Sequence, residues 1–163
     1  MPPVQPSVEL VTSREIEHFL PVLREVELGD RFLLSMLHWC GIGQRITPLA
    51  YWQVYLIRHS GEIIGVTGLY QQPETEQRIY WLGWFGIRPA WRRQGFGSAA
   101  IREVLTKVRD RGGRELWVYT GEGDEHAVKF YLSIGFRLLG PAEQRAPGLT
   151  MAGSDQVLRL ELP

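Results

Sequence analysis

The stretch "RPAWRRQGFGSAAI", Arg88 to Ile101, decides how this chain of 163 residues is read. Ahead of it, "RIYWLGWFGI" ends at Ile87 with the aromatic and branched character of a strand. Behind it, Ile101, Val104, Leu105 and Val108 repeat at helical spacing from about Gly97 to Arg111. Between strand and helix stand Arg92, Arg93, Gly95 and Gly97. A helix start leaves amides unpaired at the positive end of the dipole, and glycine lets a ligand approach that backbone closely. With two guanidinium groups beside it, the junction reads as a phosphate cradle; the competing reading is a flexible basic loop.

Working outward, the neighbouring segments define the layers. Trp52–Arg58 and Ile63–Tyr70 flank Ser60-Gly61 and read as a hairpin, followed by a third strand over Arg78–Ile87. Gly83 and Gly86 interrupt that strand, which marks a bulge or a close approach by another backbone or a ligand. If the strand is regular, Trp81 and Trp84 point to opposite faces. Upstream, Val8–Val11 is a short strand candidate. Thr12 with Glu15 forms a capping box for a helix whose apolar face is Ile16, Phe19, Leu20 and Leu23, with Pro21 expected to kink or divide it. A second helix covers Arg31–Trp39. Downstream, Leu116–Thr120 is a strand and "GEGDE" opens a helix with Ala127, Val128, Tyr131 and Ile134 on one side. Gly135 ends that helix, "GFRLLG" begins a strand, and Val157–Leu162 alternates as another. Strands follow strands and then alternate with helices. The fold class is therefore mixed α/β, a mostly antiparallel central sheet with one helical crossover, flanked by helices.

Composition narrows the function. Eighteen Lys and Arg balance eighteen Asp and Glu, so no global field draws the chain to nucleic acid or to a membrane, and an anion site must be local. Cys40 is the single cysteine, and the four histidines show no metal-ligand spacing, so no disulfide framework and no metal are expected. The first residues, "MPPVQPSVEL", lack the pattern of a signal peptide, and a single cytoplasmic domain over residues 1–163 is expected. "GFGSAA", Gly95 to Ala100, also satisfies a dinucleotide fingerprint with Glu115 at about the expected distance. That acid, however, precedes the strand Leu116–Thr120 and falls at the wrong edge to reach a ribose.

Arg92-x-x-Gly95-x-Gly97 after a strand and Pro89, together with "DEHAVKFYLSIGF" over Asp124–Phe136, resembles the signature and late helix of the GNAT superfamily of N-acetyltransferases. The resemblance runs from about Val8 to Leu162 and implies acetyl-coenzyme A as co-substrate, bound by a cofactor half over about 78–140. It implies that Phe85, Gly86 and Ile87 pair with the pantetheine arm. The pyrophosphate would lie on the amides of Arg93, Gln94, Gly95, Phe96, Gly97 and Ser98, with Arg92 as the signature's cation. Asp124 stands where the family often has an asparagine that contacts the cofactor, and an N-cap role is the alternative for it. Tyr131 is implied as the acid that protonates the departing sulfur; from the residues alone it is an aromatic of the core stripe. "RIYWLGWFGI" contains no carboxylate, so no general base is named. Glu122, Asp124, Glu125 and His126 read as a polar loop and helix cap. The expected acceptor is a small-molecule amine or a peptide amine, chosen by the first two helices and "HWCGIGQRITPLAYW", and the resemblance also admits a homodimer. A non-catalytic acyl-coenzyme A sensor and an interaction module are the alternatives on the same fold.

Overall fold

The computed structural model describes residues 5–43, 49–73, 76–121, 123–140 and 156–163. Its elements are β1 (Glu9–Val11), α1 (Ile16–Glu25), α2 (Asp30–Trp39), β2 (Tyr51–His59), β3 (Glu62–Gln71), β4 (Ile79–Ile87), α3 (Phe96–Asp110), β5 (Glu115–Thr120), α4 (Glu125–Ile134), β6 (Arg137–Leu138) and β7 (Gln156–Glu161). They form a seven-stranded sheet in the order β1-β2-β3-β4-β5-β7-β6. Each neighbouring pair is antiparallel except β4 and β5, which α3 joins as a parallel crossover. Among the described residues, no helix is long and apolar enough to cross a membrane.

Local chemistry accounts for most boundaries. Ser60 and Gly61 both have positive φ, 48° and 83°, as a two-residue hairpin turn of the favoured hand requires. α1 differs from the capping-box expectation. Thr12–Arg14 are not helical, because this segment is tied to α2: Trp39 Nε1 donates to the Ser13 carbonyl at 2.6 Å, and Arg14 Nη1 donates to the Trp39 carbonyl at 2.7 Å. Ser13 Oγ accepts from the Glu15 amide instead. Nor does Pro21 divide the helix, which runs through it while Phe19 and Val22 are fully buried. Each such buried side chain contributes about 1.5–3 kcal/mol, comparable with the roughly 3 kcal/mol that an interior proline costs.

The two faces of the sheet carry different helices. α1 and α2 cover Val54, Leu56 and Val66 through Phe19, Val22, Phe32 and Met36. α3 and α4 cover Tyr55, Leu69, Leu82, Leu116 and Val118 through Ile101, Val104, Val108 and Tyr131. β4 departs from regular alternation. Val66 pairs with Gly86 and Gly68 with Gly83, so two steps on β3 answer three on β4. This bulge contains Trp84 at φ 52°, a left-handed value that a bulky residue seldom adopts. Trp84 consequently lies over Gly68 on the face of Trp81, and both indoles pack against Tyr70, at 5.5 and 6.2 Å between ring centroids. The expectation of opposite faces fails because the extra residue shifts the period.

Gly68 makes this arrangement possible: a Cβ there would stand 2.1 Å from Trp84 Cε3. We therefore expect Gly68→Ala to destabilise the protein by about 1–3 kcal/mol through overpacking. Denaturant titration of a double-mutant cycle should show most of that cost vanishing in a Trp84→Ala background. Independent costs that simply add would refute the coupling.

A second constraint fastens α1 to the end of β4. Arg88 donates from Nη2 and Nε to the two carboxylate oxygens of Glu25, at 2.7 and 3.0 Å, and from Nη1 to the Ile63 carbonyl at 2.8 Å. These hydrogen bonds hold the Glu25 carboxyl below its ordinary pKa of 4.5. A depressed carboxyl stabilises the fold above its unfolded pKa and loses that contribution as pH falls through the folded value. Glu25→Gln should accordingly lower the urea midpoint at pH 7 and converge with the wild type in acid. A gap that persists at all pH values would contradict this assignment.

Candidate active site

The site begins where the sheet opens. The parallel ladder between β4 and β5 pairs Ile79 with Glu115, Tyr80 with Leu116 and Trp81 with Trp117, and ends there. β4 continues to Ile87 and β5 to Thr120 without pairing to each other, while their outer edges stay paired to β3 and β7. Gly83, Trp84 and Phe85 are in consequence partly exposed in the middle of a central strand, between buried Leu82 and buried Gly86. Because the Arg88 amide donates to the Ile64 carbonyl, Ile87 one residue earlier turns its N–H and C=O away from β3, toward the gap.

The loop after β4 closes one end of this gap. A 3-10 helix over Pro89–Trp91 leads into Arg93 and Gly95, both left-handed with φ of 59° and 84°. Arg92 turns back, its Nε donating to the Ile87 carbonyl at 2.7 Å, and Gln94 Nε2 donates to the Ala90 carbonyl at 2.9 Å. The helical ladder of α3 starts with the Ala99 amide on the Gly95 carbonyl, so the amides of Phe96, Gly97 and Ser98 precede it. No acidic residue stands in the first turn of α3. Phe96 itself is buried, 4.7 Å from the His59 ring and 5.4 Å from Trp91 between centroids, and anchors the helix start. Unpaired backbone amides at the helix start, a dipole end without an acid to neutralise it, and exposed Arg92 and Arg93 fit a phosphate-bearing ligand.

The bulge expected from the strand glycines is present between them, and packing adds a second reason for each. A Cβ on Gly83 would meet the Tyr70 ring at 2.9 Å, and one on Gly86 would meet Val26 Cγ1 at 2.4 Å. Close packing within the chain, by an aromatic of β3 and by the residue that ends α1, thus holds both glycines at the edges of the bulge. Gly97 is likewise covered, since its Cβ would stand 3.1 Å from Phe130 Cζ.

α4 supplies the wall opposite. Asp124 caps it, its Oδ1 accepting from the Ala127 amide at 3.1 Å, so the N-cap alternative is the one observed. Glu125 and His126 are exposed on its first turn, and Glu122 lies outside the described residues. Tyr131 is buried among Phe85, Phe130 and Phe136, with ring centroids 6.5, 5.3 and 5.3 Å away. Burial, and secondarily the Asp124 carboxylate, push its phenol far above the usual tyrosine range, so it holds its proton throughout neutral pH. Phe85 and Phe130 stack at 5.8 Å and 12°, bridging strand and helix beside Gly97.

Sequence reasoning left out two residues here. Phe130 carries only the signal of an aromatic next to Tyr131. Thr120 ends β5 where it has left β4, is 5% exposed, and has a buried hydroxyl without a hydrogen-bond partner among the described residues. A buried orphan of this kind is costly unless something pairs with it, but no feature of "ELWVYT" singles it out. Glu115 pairs beside Ile79, at the end of the sheet away from the start of α3, which removes the dinucleotide reading.

Comparison with known proteins agrees with this architecture. A model of the acetyltransferase (GNAT) family matches residues 16–136. N-acetyltransferase 8 of Rattus norvegicus is 28% identical over 88 residues, 53% of this chain and 40% of that protein. An uncharacterized N-acetyltransferase of Mycobacterium bovis is 25% identical over 83 residues, 51% of each chain. The matched segments thus span about half the length of these curated relatives or less. An acetyltransferase from Streptococcus agalactiae superposes with a TM-score of 0.73 at 11% identity, covering 96% of this chain and 99% of that one. A GNAT family acetyltransferase from Elizabethkingia anophelis with acetyl-CoA bound gives 0.61 at 18% identity, over 96% and 97%. With the family match covering most of its length, and the opened β4–β5 pair and glycine-arginine loop within that match, this chain belongs to the GNAT acetyltransferase family.

Proposed function

We propose that the protein transfers an acetyl group from acetyl-coenzyme A to a primary amine, with both held in the β4–β5 gap. The observation that carries this reading is the partly exposed Gly83–Phe85 segment of a central strand, flanked by a loop whose left-handed Arg93 and Gly95 lead into the first amides of α3. The same fold is found in an acetyltransferase with acetyl-CoA bound, which supports the choice of ligand.

In this reading the amides of residues 93–98 bind the pyrophosphate, and the gap-facing Ile87 amide, with the β4 edge at Phe85, aligns the pantetheine arm as an added strand, while the Ile87 carbonyl stays with Arg92. Thr120 offers its orphan hydroxyl to a polar group of that arm, a contact the Asp124 carboxylate does not make while it caps α4. Acetyl-coenzyme A supplies the acetyl group as an activated thioester. The chain orients the neutral amine so that its nitrogen bonds the carbonyl carbon as the C–S bond breaks. Tyr131 gives its phenolic proton to the departing sulfur and recovers one from the nitrogen; the proton that the ammonium sheds before attack goes to water. Burial keeps the phenol protonated at neutral pH and so available to give that proton, and the phenoxide left behind is basic enough to take one from the nitrogen.

Calorimetric titration of acetyl-coenzyme A should show binding of micromolar order. Gly97→Glu, which sets a carboxylate at the helix start and pushes into Phe130, should abolish it in a folded protein. Tyr131→Phe should lower kcat by about a hundredfold or more while the acetyl-coenzyme A Kd changes by no more than about threefold. Binding without turnover of any amine would favour the sensor, and absence of binding the interaction module.

A further inference from the structure

The gap has two sides, and the side away from Tyr131 is paved with aromatic rings. The bulge places Trp84 and Phe85 on opposite faces: Phe85 joins Phe130 and Tyr131, and Trp84 joins the face of α1 and α2. There Trp84 belongs to a continuous row of five rings with Tyr70 in the middle. Trp52 lies 5.8 Å from Trp84, Tyr70 5.5 Å from Trp84, Trp81 6.2 Å beyond Tyr70, and Tyr119 of β5 5.8 Å beyond Trp81, all between ring centroids. Trp81 and Tyr70 are the buried floor, Trp52 and Trp84 are partly exposed, and Tyr119 is 42% exposed. Trp84 and Tyr119 therefore stand on the two strands that separate, one on each lip of the opening. The fold maintains this placement against local preference, since a tryptophan at φ 52° over a glycine lacking any room for a Cβ is a costly arrangement.

Charge on this face points the same way. Glu115 shares the face of Trp117 and Tyr119, but its carboxylate accepts from Trp117 Nε1 at 2.5 Å and lies 3.8 Å from Arg159, at the closed end of the sheet. Among the described residues, the row from Trp52 to Tyr119 includes no carboxylate to hold a second ammonium and no guanidinium to hold a substrate carboxylate. Ring faces are what it offers, and these accept a flat ring by stacking and a single ammonium by the negative face of the π-system.

We propose that this row selects the acceptor, a primary amine carried on a flat, uncharged aromatic group whose ring stacks between Trp84 and Tyr119 while its nitrogen reaches into the gap. The inference rests on acetyl transfer taking place in that gap. It excludes polyamines and amino acids as preferred acceptors.

The test compares 2-phenylethylamine with 2-cyclohexylethylamine, which has the same chain and a ring that is not flat, and with spermidine and an α-amino acid. Coenzyme A release is followed, and acetyl-coenzyme A binding is measured calorimetrically on the same preparations. The expected result is a kcat/KM for 2-phenylethylamine at least about tenfold above each of the others, the factor that about 1.4 kcal/mol of additional contact provides. In Trp84→Asn, which removes the ring from a left-handed position that asparagine tolerates, and in Tyr119→Ala, at an exposed site, the ratio of phenyl to cyclohexyl substrate should fall below about threefold. Retained acetyl-coenzyme A binding with spermidine, the amino acid or the cyclohexyl amine preferred would overturn the assignment and leave acetyl transfer standing. An unchanged ratio in both variants would also overturn it. Failure of the wild type to bind acetyl-coenzyme A would remove acetyl transfer and this proposal together.

Discussion

Between Gly83 and Gly86, β4 carries one residue more than the β3 segment it faces, and the arrangement of the site follows from that mismatch. A bulge increases local twist and interrupts the ladder. Just before it, β4 and β5 stop pairing, and beyond it β4 is held by β3 alone. The seam where the β4–β5 ladder stops is the gap. The backbone that would have bonded β5 is left facing it, as the orientation of Ile87 shows.

Close packing fixes the bulge in place. Gly68 leaves room for the Trp84 ring, Gly83 for Tyr70, and Gly86 for Val26 at the end of α1. Three glycines on two strands are thus spent on contacts within the chain. Their absent side chains let an indole, a phenol ring and a helix end approach the backbone at distances that any Cβ would forbid. The opening is accordingly not a loose region of the sheet but one whose walls are packed from behind.

Charge follows the same division between frame and site. The chain is neutral overall, so attraction for an anion has to be assembled locally. Two of the three arginines around the loop hold the frame: Arg88 bonds Glu25 and the Ile63 carbonyl, and Arg92 directs its Nε to the Ile87 carbonyl. Backbone amides in left-handed turns and the unopposed dipole of α3 provide most of what the loop presents. A site made of backbone is insensitive to side-chain identity, which is why Phe96 can occupy the loop and still be buried beneath it.

Much of this was legible in order. Ser60-Gly61, the stripe from Ile101 to Val108, the glycine stop at Gly135 and the Asp124 cap are each decided by residues within a turn or two of one another, and the observed elements follow them closely. The glycine-arginine loop was legible for the same reason, because a strand, a loop and a helix start are contiguous in the chain. Local rules were silent or misleading wherever a distant segment decided the outcome. Thr12 is not the helix cap because Trp39 and Arg14 hold that segment elsewhere, and Trp84 shares a face with Trp81 because β3 forces an unequal register. Thr120 and Phe130 gained their significance only when β5 parted from β4 and α4 closed over Gly97. Element types, their succession and the glycine-arginine loop were determined by the sequence alone, through short-range dihedral and periodicity preferences. The opening of the sheet and the side chains that line it were decided by tertiary structure, because both depend on how strands far apart in the chain fail to match.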